Sequence, residues 1–245
     1  MFGDIYNSMG GIAMNPGIVS LVVRDLFQTF KKESENGFEF NIKLSYLEIY
    51  NEHARDLLTL NSEELMIIED SRRGIMIPNL TEFAINTHEE VVKHIIQGNS
   101  RRIMASTNAN QFSSRSHAII QFTIEKRSKT KDIVDSFLQS KLCLVDLAGS
   151  ERAAVSENRG LRQREGANIN RSLLALGNCI NILSDSNKKG AFVPYRDSKL
   201  TRLLKDSLGG NTRTVMLACI SPSYLAYEET VNTLKYASSA KNIKR

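Results

Sequence analysis

Tryptophan is absent from these 245 residues, and there are only three cysteines and four prolines. Three thiols cannot pair evenly, which argues against a disulfide-stapled secreted scaffold. Cys143 and Cys219 lie in apolar runs and Cys179 in a helical pattern, with no second Cys or His at metal-ligand spacing. The expectation is three buried free thiols in a reducing compartment and no zinc site. No window approaches the roughly 18 consecutive apolar residues of a membrane span. The opening Met1-Phe2-Gly3-Asp4 lacks the basic-then-apolar layout of a signal peptide. A soluble intracellular protein is expected. With 41% hydrophobic residues and 14 glycines, the chain has the composition of an ordinary globular domain with a sizeable core.

Net charge is modest overall but concentrated locally. The net +5 comes from 32 basic against 27 acidic residues. Lys188, Lys189, Arg196, Lys199, Arg202 and Lys205 fall in one short stretch opposed only by Asp197. A second group, Arg152, Arg159, Arg162, Arg164 and Arg171 against Glu157 and Glu165, lies upstream. Such a face would hold an acidic partner, whether protein, nucleic acid or anionic membrane; the alternative is a solvated helix surface. Without Trp, and without aromatics interleaved among the basic residues, a stacking platform for nucleic acid is not expected.

Periodicity supplies the elements. Pro16-Gly17 opens a helix over Ile18–Phe30, and Phe38 to Tyr46 alternates as a strand extended to Ile49, broken by Asn51-Glu52. A helix is predicted over 87–104, with Glu89 and Glu90 at its start and Arg101 and Arg102 at its end complementing the macrodipole. His117–Glu125 alternates again, and Lys126–Lys131 suits an exposed turn. Leu142–Val145, apolar on both faces, reads as a central strand under helices and ends at Asp146. Further elements are an amphipathic helix over 168–185, a helix over Ser198–Leu208 stopped by Gly209-Gly210, a buried strand at Val215–Ile220, and a final helix over Glu228–Lys241. Alternating strands and helices predict one α/β layered domain without repeats.

In such sheets ligands bind beyond strand ends. Asp146-Leu147-Ala148-Gly149-Ser150-Glu151 follows the most apolar strand, and a carboxylate followed by a Gly can hold a magnesium ion and bring an amide to a phosphate. Asn110-Gln111-Phe112-Ser113-Ser114-Arg115-Ser116-His117 gathers hydroxyls and a guanidinium immediately before a strand. Each string alone also suits a plain polar turn.

Together with Asn168-Ile169-Asn170-Arg171-Ser172-Leu173-Leu174-Ala175-Leu176-Gly177, these strings resemble the kinesin motor domain in order and spacing. Ser45-Tyr46-Leu47-Glu48-Ile49-Tyr50-Asn51-Glu52, the stretch Val193–Leu204 and Thr233–Ala237 extend the resemblance over nearly the whole chain. The stretches Gly177–Asn181 and Lys205–Asn211 most resemble the eighth, microtubule-length-regulating class. The resemblance implies a three-layer α/β fold of the P-loop NTPase kind, with a mostly parallel or mixed central sheet and helices on both faces. Residues 1–245 would be one partial motor domain lacking its first strands.

The resemblance also implies ATP and Mg²⁺ as cofactors. Residues 110–117 would be switch I and 146–151 switch II. Asn110 would line the nucleotide, Asp146 would hold the metal through water, and Ser114 would contact the ion or the terminal phosphate. Gly149 would donate its amide to that phosphate. Arg115 and Glu151 would pair as a latch and, with Ser113, orient the attacking water. The helix of 168–185 would relay switch closure to a microtubule face formed by Arg159, Lys188, Lys189, Arg196, Lys199 and Arg202, meeting acidic tubulin. The expected partner is the microtubule, with no membrane and no nucleic acid beyond the nucleotide. The expected location is cytoplasmic and cytoskeletal, including the spindle, with homodimerisation only through regions outside this chain.

One required part is missing from the sequence. No Gly is followed by Lys, so Gly-x-x-x-x-Gly-Lys-Ser/Thr does not occur. In the family that loop precedes a segment resembling Met1-Phe2-Gly3, and one missing strand would lie beside Val215–Ile220. A split sheet would cost several kcal/mol, so the expectation is a partial sequence whose 245 residues alone fold poorly and hydrolyse no ATP. The alternative is a nucleotide-independent microtubule-binding remnant. Retained Asp146, Arg115 and Glu151 weigh against that alternative.

Overall fold

The computed structural model describes residues 1–3, 15–60, 63–72, 74–104, 115–129, 137–149, 161–210 and 212–243, with backbone alone at 103–104 and 161–170. Two long strands dominate, β1 (Phe38–Tyr50) and β6 (His117–Ser128). They pair antiparallel from Phe38↔Ser128 to Ile49↔His117. The remaining strands are β2 (His53–Asp56), β3 (Ile68–Asp70), β4 (Gly74–Met76), β5 (Phe83–Ala84) and β7 (Phe137–Asp146). The main sheet runs β2-β1-β6-β7, with β5 also pairing β1, and β3-β4 form a separate hairpin. Every described pairing is antiparallel, where a mostly parallel or mixed sheet was expected.

Period-two alternation sends side chains to two faces. Leu44, Tyr46, Ile120, Phe122 and Ile124 pack with Val19, Val23 and Phe30 of α1 (Ile18–Glu35) and Val91 and Ile95 of α2 (His88–Met104). Leu47, Ile49 and Ile119 face Leu176 and Ile180 of α3 (Leu161–Ser184) and Leu200 of α4 (Lys199–Leu203). Helices therefore cover both faces of one sheet, as the predicted α/β class requires. Burying a side chain such as Phe122 contributes about 1.5–3 kcal/mol. Gly98 of α2 lets the Tyr46 ring lie against the helix, since a Cβ there would sit 2.4 Å from the ring edge.

The chain reverses at Asn51 and Glu52, both with positive φ (53° and 63°), to pair β2 with β1. Glu52 then accepts from the Ser198 hydroxyl (2.7 Å) and the Lys199 amide (2.8 Å), fixing the start of α4. Instead of one helix over 198–208, two short ones form, α4 and α5 (Lys205–Gly209), interrupted at Leu204. The last helix, α6 (Tyr227–Lys241), reaches α3 through the Tyr236 hydroxyl, which donates to the Leu173 carbonyl (3.1 Å).

Several expectations fail for one shared reason: a sequence pattern does not say whether a neighbouring strand is there. Lys126–Ser128 continue β6 rather than turning, because Phe38–Phe40 offer ladder partners and Lys126 pairs with Glu33 of α1 at 2.7 Å. Leu142–Val145 lie on an outer strand, not a central one; among the described residues nothing pairs with the outer edge of β7. Val215–Ile220 is exposed and has no ladder partner among the described residues, instead of forming a buried strand, with Val215 83% exposed. The two apolar stretches line a common trough of about 2600 Å³. Cys143 and Cys219 are consequently exposed rather than buried, while Cys179 is buried on α3 and burial pushes its thiol up to about 11.

Candidate nucleotide-switch site

Antiparallel pairing of β6 with β7 fixes the site. Ala118 lies opposite Asp146, so the residues leading into β6 and those leaving β7 come together at one end of the sheet. Arg115-Ser116-His117 and the Asp146–Gly149 string thus converge although they are about thirty residues apart. Of the expected site residues, Arg115 and Gly149 are half-buried at this end, and Asp146 closes β7 with its side chain 29% exposed. Asn110, Ser113, Ser114, Glu151 and Arg159 lie outside the described residues.

At the centre sits a residue that sequence reasoning assigned to the helix dipole. Arg102 is buried and its guanidinium fans across three elements. Its Nη1 donates to Asp146 Oδ2 at 3.1 Å, its Nε to the Ser116 hydroxyl at 3.0 Å, and its Nη2 to the Ser116 carbonyl at 2.8 Å. Glu48 Oε1 of β1 lies 3.5 Å from the same Nε. Glu48, 2% exposed, is also held by Arg55 Nε at 2.6 Å. A planar five-donor fork is the side chain that can meet this many acceptors at once. A signal for it was present, since Val91, Ile95, Gly98 and Arg102 form the buried stripe of α2. Arg101, the other assumed dipole partner, instead donates to the Leu57 carbonyl (2.6 Å).

His117, the first residue of β6, is the second buried polar centre. Its Nδ1 accepts from the Ala148 amide (3.0 Å) and its Nε2 lies 2.8 Å from the Ser172 hydroxyl of α3. Burial, with a smaller contribution from the nearby Arg102 charge, lowers its pKa to about 4. An unfolded imidazole titrates near 6.5. The folded state therefore resists protonation, so this stabilisation is complete above about pH 6.5 and is lost as pH falls towards 4, to a limit of about 3 kcal/mol. Urea unfolding between those pH values should show a shallower loss of stability in His117→Asn than in the wild type; equal slopes would contradict a buried neutral imidazole.

The donor set can be weighed against Mg²⁺ and a nucleotide. A partly exposed carboxylate at a strand end, followed by a coil that carries the Gly149 amide, suits a hard cation held through water and an approaching phosphate oxygen. The chain contains no Gly-Lys pair to grip the remaining phosphates. The residues present fit the metal and terminal-phosphate side of such a site.

The basic stretch is less open than its composition implies. Lys199 pairs with Glu64 (2.5 Å), Arg196 with Glu69 (3.6 Å) and Lys205 with Glu69, while Arg202 donates to the Ile67 carbonyl (3.1 Å). Glu64 and Glu69 have their carboxyls held below the usual range, first by the hydrogen bonds from Lys199 and Lys205 respectively. Among the described residues Lys188 pairs only with the distant Asp185 (3.8 Å) and is 55% exposed; Lys189 is exposed as well.

A carboxylate and a glycine amide thus stand at one strand end of this α/β sheet, and His117 joins that end to the long helix α3. The family model described as Kinesin motor domain matches residues 5–243, and the chain belongs to that family. It is 52% identical over 239 residues to the human Kinesin-like protein KIF19, covering 97% of this chain and 24% of that protein. To Kinesin-like protein KIP3 of Saccharomyces cerevisiae it is 50% identical over 240 residues, 97% of this chain and 30% of the relative. The chain thus spans about a quarter to a third of the length of these two relatives. Among solved structures it resembles a two-heads-bound KIF14 dimer with AMP-PNP in complex with a microtubule: TM-score 0.84, 36% identity, 96% of this chain and 67% of that one.

Proposed function

We propose that the protein is part of a microtubule-stimulated ATPase motor in which the end of the β6-β7 hairpin senses Mg²⁺-ATP and α3 carries the signal to a microtubule-binding face. The observation that supports this best is the register Ala118↔Asp146, which brings the entry to β6 beside the exit from β7. In this reading residues 1–245 are one partial motor domain. Asn110, Ser114, Asp146 and Gly149 would hold the nucleotide, with the metal met by Ser114 and, through water, by Asp146. Arg115, Ser113, Glu151 and Gly149 carry the catalytic duties. Bound Mg²⁺-ATP would supply the phosphoryl group for transfer to water; this chain's residues orient that water and offset charge at the terminal phosphate. The narrower reading is a length-regulating motor of the eighth class acting on cytoplasmic and spindle microtubules, dimeric through segments outside this chain.

Microtubule contact is assigned to Arg159, Lys188, Lys189, Arg196, Lys199 and Arg202. The pairings of Lys199 and Arg196 with Glu64 and Glu69 rank these residues: Lys188 and Lys189 should contribute most directly. Replacing Lys188, Lys189 and Arg196 by Ala should weaken cosedimentation with microtubules about tenfold at low salt, and much less at high salt. Glu69→Gln should strengthen it severalfold by releasing Arg196 and Lys205. A salt dependence that the triple substitution leaves unchanged would refute the electrostatic assignment. The reading as a whole is tested by measuring ATP turnover of the full-length protein with and without microtubules. Microtubule binding without nucleotide binding would favour the nucleotide-independent remnant.

A further inference from the structure

The buried His117 bonds both the segment leaving β7 and the long helix α3. A backbone N–H can only donate, so the 3.0 Å contact from the Ala148 amide requires an unprotonated Nδ1. A neutral imidazole then carries its proton on Nε2, aimed at the Ser172 hydroxyl 2.8 Å away. The Ala148 bond thereby fixes the tautomer, and the Ser172 hydroxyl, able to donate or accept, takes the accepting role. All three partners, Ala148, His117 and Ser172, are buried, so water does not readily replace either bond. Ala148 immediately precedes Gly149, and Ser172 lies on the same buried stripe of α3 as Ala175, Leu176 and Cys179.

From this geometry we infer that His117 is a positioning residue that clasps the Ala148 amide to α3, so that displacement of the Ala148–Gly149 segment moves or releases the helix. The inference deepens the motor reading: the clasp supplies a direct, single-side-chain route from switch to relay. Its rigidity comes from the planar ring, whose two nitrogens sit at a fixed separation and hold a backbone amide and a hydroxyl at a fixed distance from each other. Neither partner need touch the nucleotide.

Two amide substitutions divide the clasp. In His117→Asn the Oδ1 atom stands where Nδ1 was and keeps the Ala148 bond but falls short of Ser172. In His117→Gln the terminal amide reaches Ser172 but abandons Ala148. Ser172→Ala leaves the ring and removes only the helix end.

The test uses the full-length protein. Nitrogen NMR of the wild type should find His117 neutral with Nδ1 unprotonated; a proton on Nδ1 overturns the inference. Hydrogen exchange at the Ala148 amide should rise at least tenfold in His117→Gln and severalfold in Ser172→Ala, where the ring is no longer held. An unchanged Ala148 rate in both variants overturns the clasp irrespective of any motor activity. The ratio of microtubule affinities with AMP-PNP and with ADP should shrink about five- to tenfold in all three variants. A merely structural role would lower the unfolding midpoint and leave that ratio as in the wild type. If the wild type itself shows no dependence on nucleotide, the motor reading fails, and tautomer and exchange still decide the clasp.

Discussion

Replacing Arg102 by Met should destabilise the protein by about 3–5 kcal/mol, because a half-broken buried ion network leaves uncompensated charge. The loss falls on three elements at once. Asp146 loses its 3.1 Å partner, the Ser116 carbonyl loses a donor, and Glu48, 2% exposed, keeps Arg55 as its one basic partner among the described residues. Arg102→Lys should recover little, since an ammonium cannot address Asp146, Ser116 and Glu48 with one planar fork. Chemical denaturation measures this: the midpoint should drop with little change in slope. A drop below about 1 kcal/mol for Arg102→Met would mean the network is solvated and that Arg102 does not organise this end of the sheet.

The second large effect concerns the proposed latch. Glu151→Ala in the full-length motor should lower microtubule-stimulated turnover by at least about a hundredfold while leaving nucleotide affinity near the wild-type value. Arg115→Ala should do the same, and the double variant should be no worse than either single one, because the two act as a unit. Additive losses, or turnover that survives Glu151→Ala, would remove the latch from the account. The placement of Arg115 at the mouth of β6, beside the segment leaving β7, is the geometric support for this expectation.

What the sequence made legible was local. Four-residue spacings gave α1 and α3, and alternation gave β1 and β6 almost to their ends, because burial of one face imposes those periods wherever the chain is. The site's two halves were legible as strings, but their meeting depends on the antiparallel register of β6 and β7, which no single segment encodes. Non-local partners account for the errors. The apolar runs at Leu142–Val145 and Val215–Ile220 read as buried because apolar strands usually are; here they flank an open trough. The basic stretch read as a free positive face because Glu64 and Glu69, 135 and 136 residues away from Lys199 and Lys205, cannot be matched to them from spacing. Arg102 was hidden by the habit of placing basic residues at helix ends. Its place on the stripe of Val91, Ile95 and Gly98 marks it as an arginine in a core position, which demands buried acceptors.

These particulars share one consequence. The molecule concentrates its buried polar chemistry at one end of the sheet, where Arg102 ties Asp146 to the body and His117 ties Ala148 to α3. Microtubule affinity of the full-length protein, measured by cosedimentation with AMP-PNP and then with ADP, tests whether that concentration serves a switch. The account predicts at least about a tenfold difference between the two nucleotide states, a coupling of ordinary size for linked sites. Equal affinities in both states, with nucleotide demonstrably bound, would contradict it.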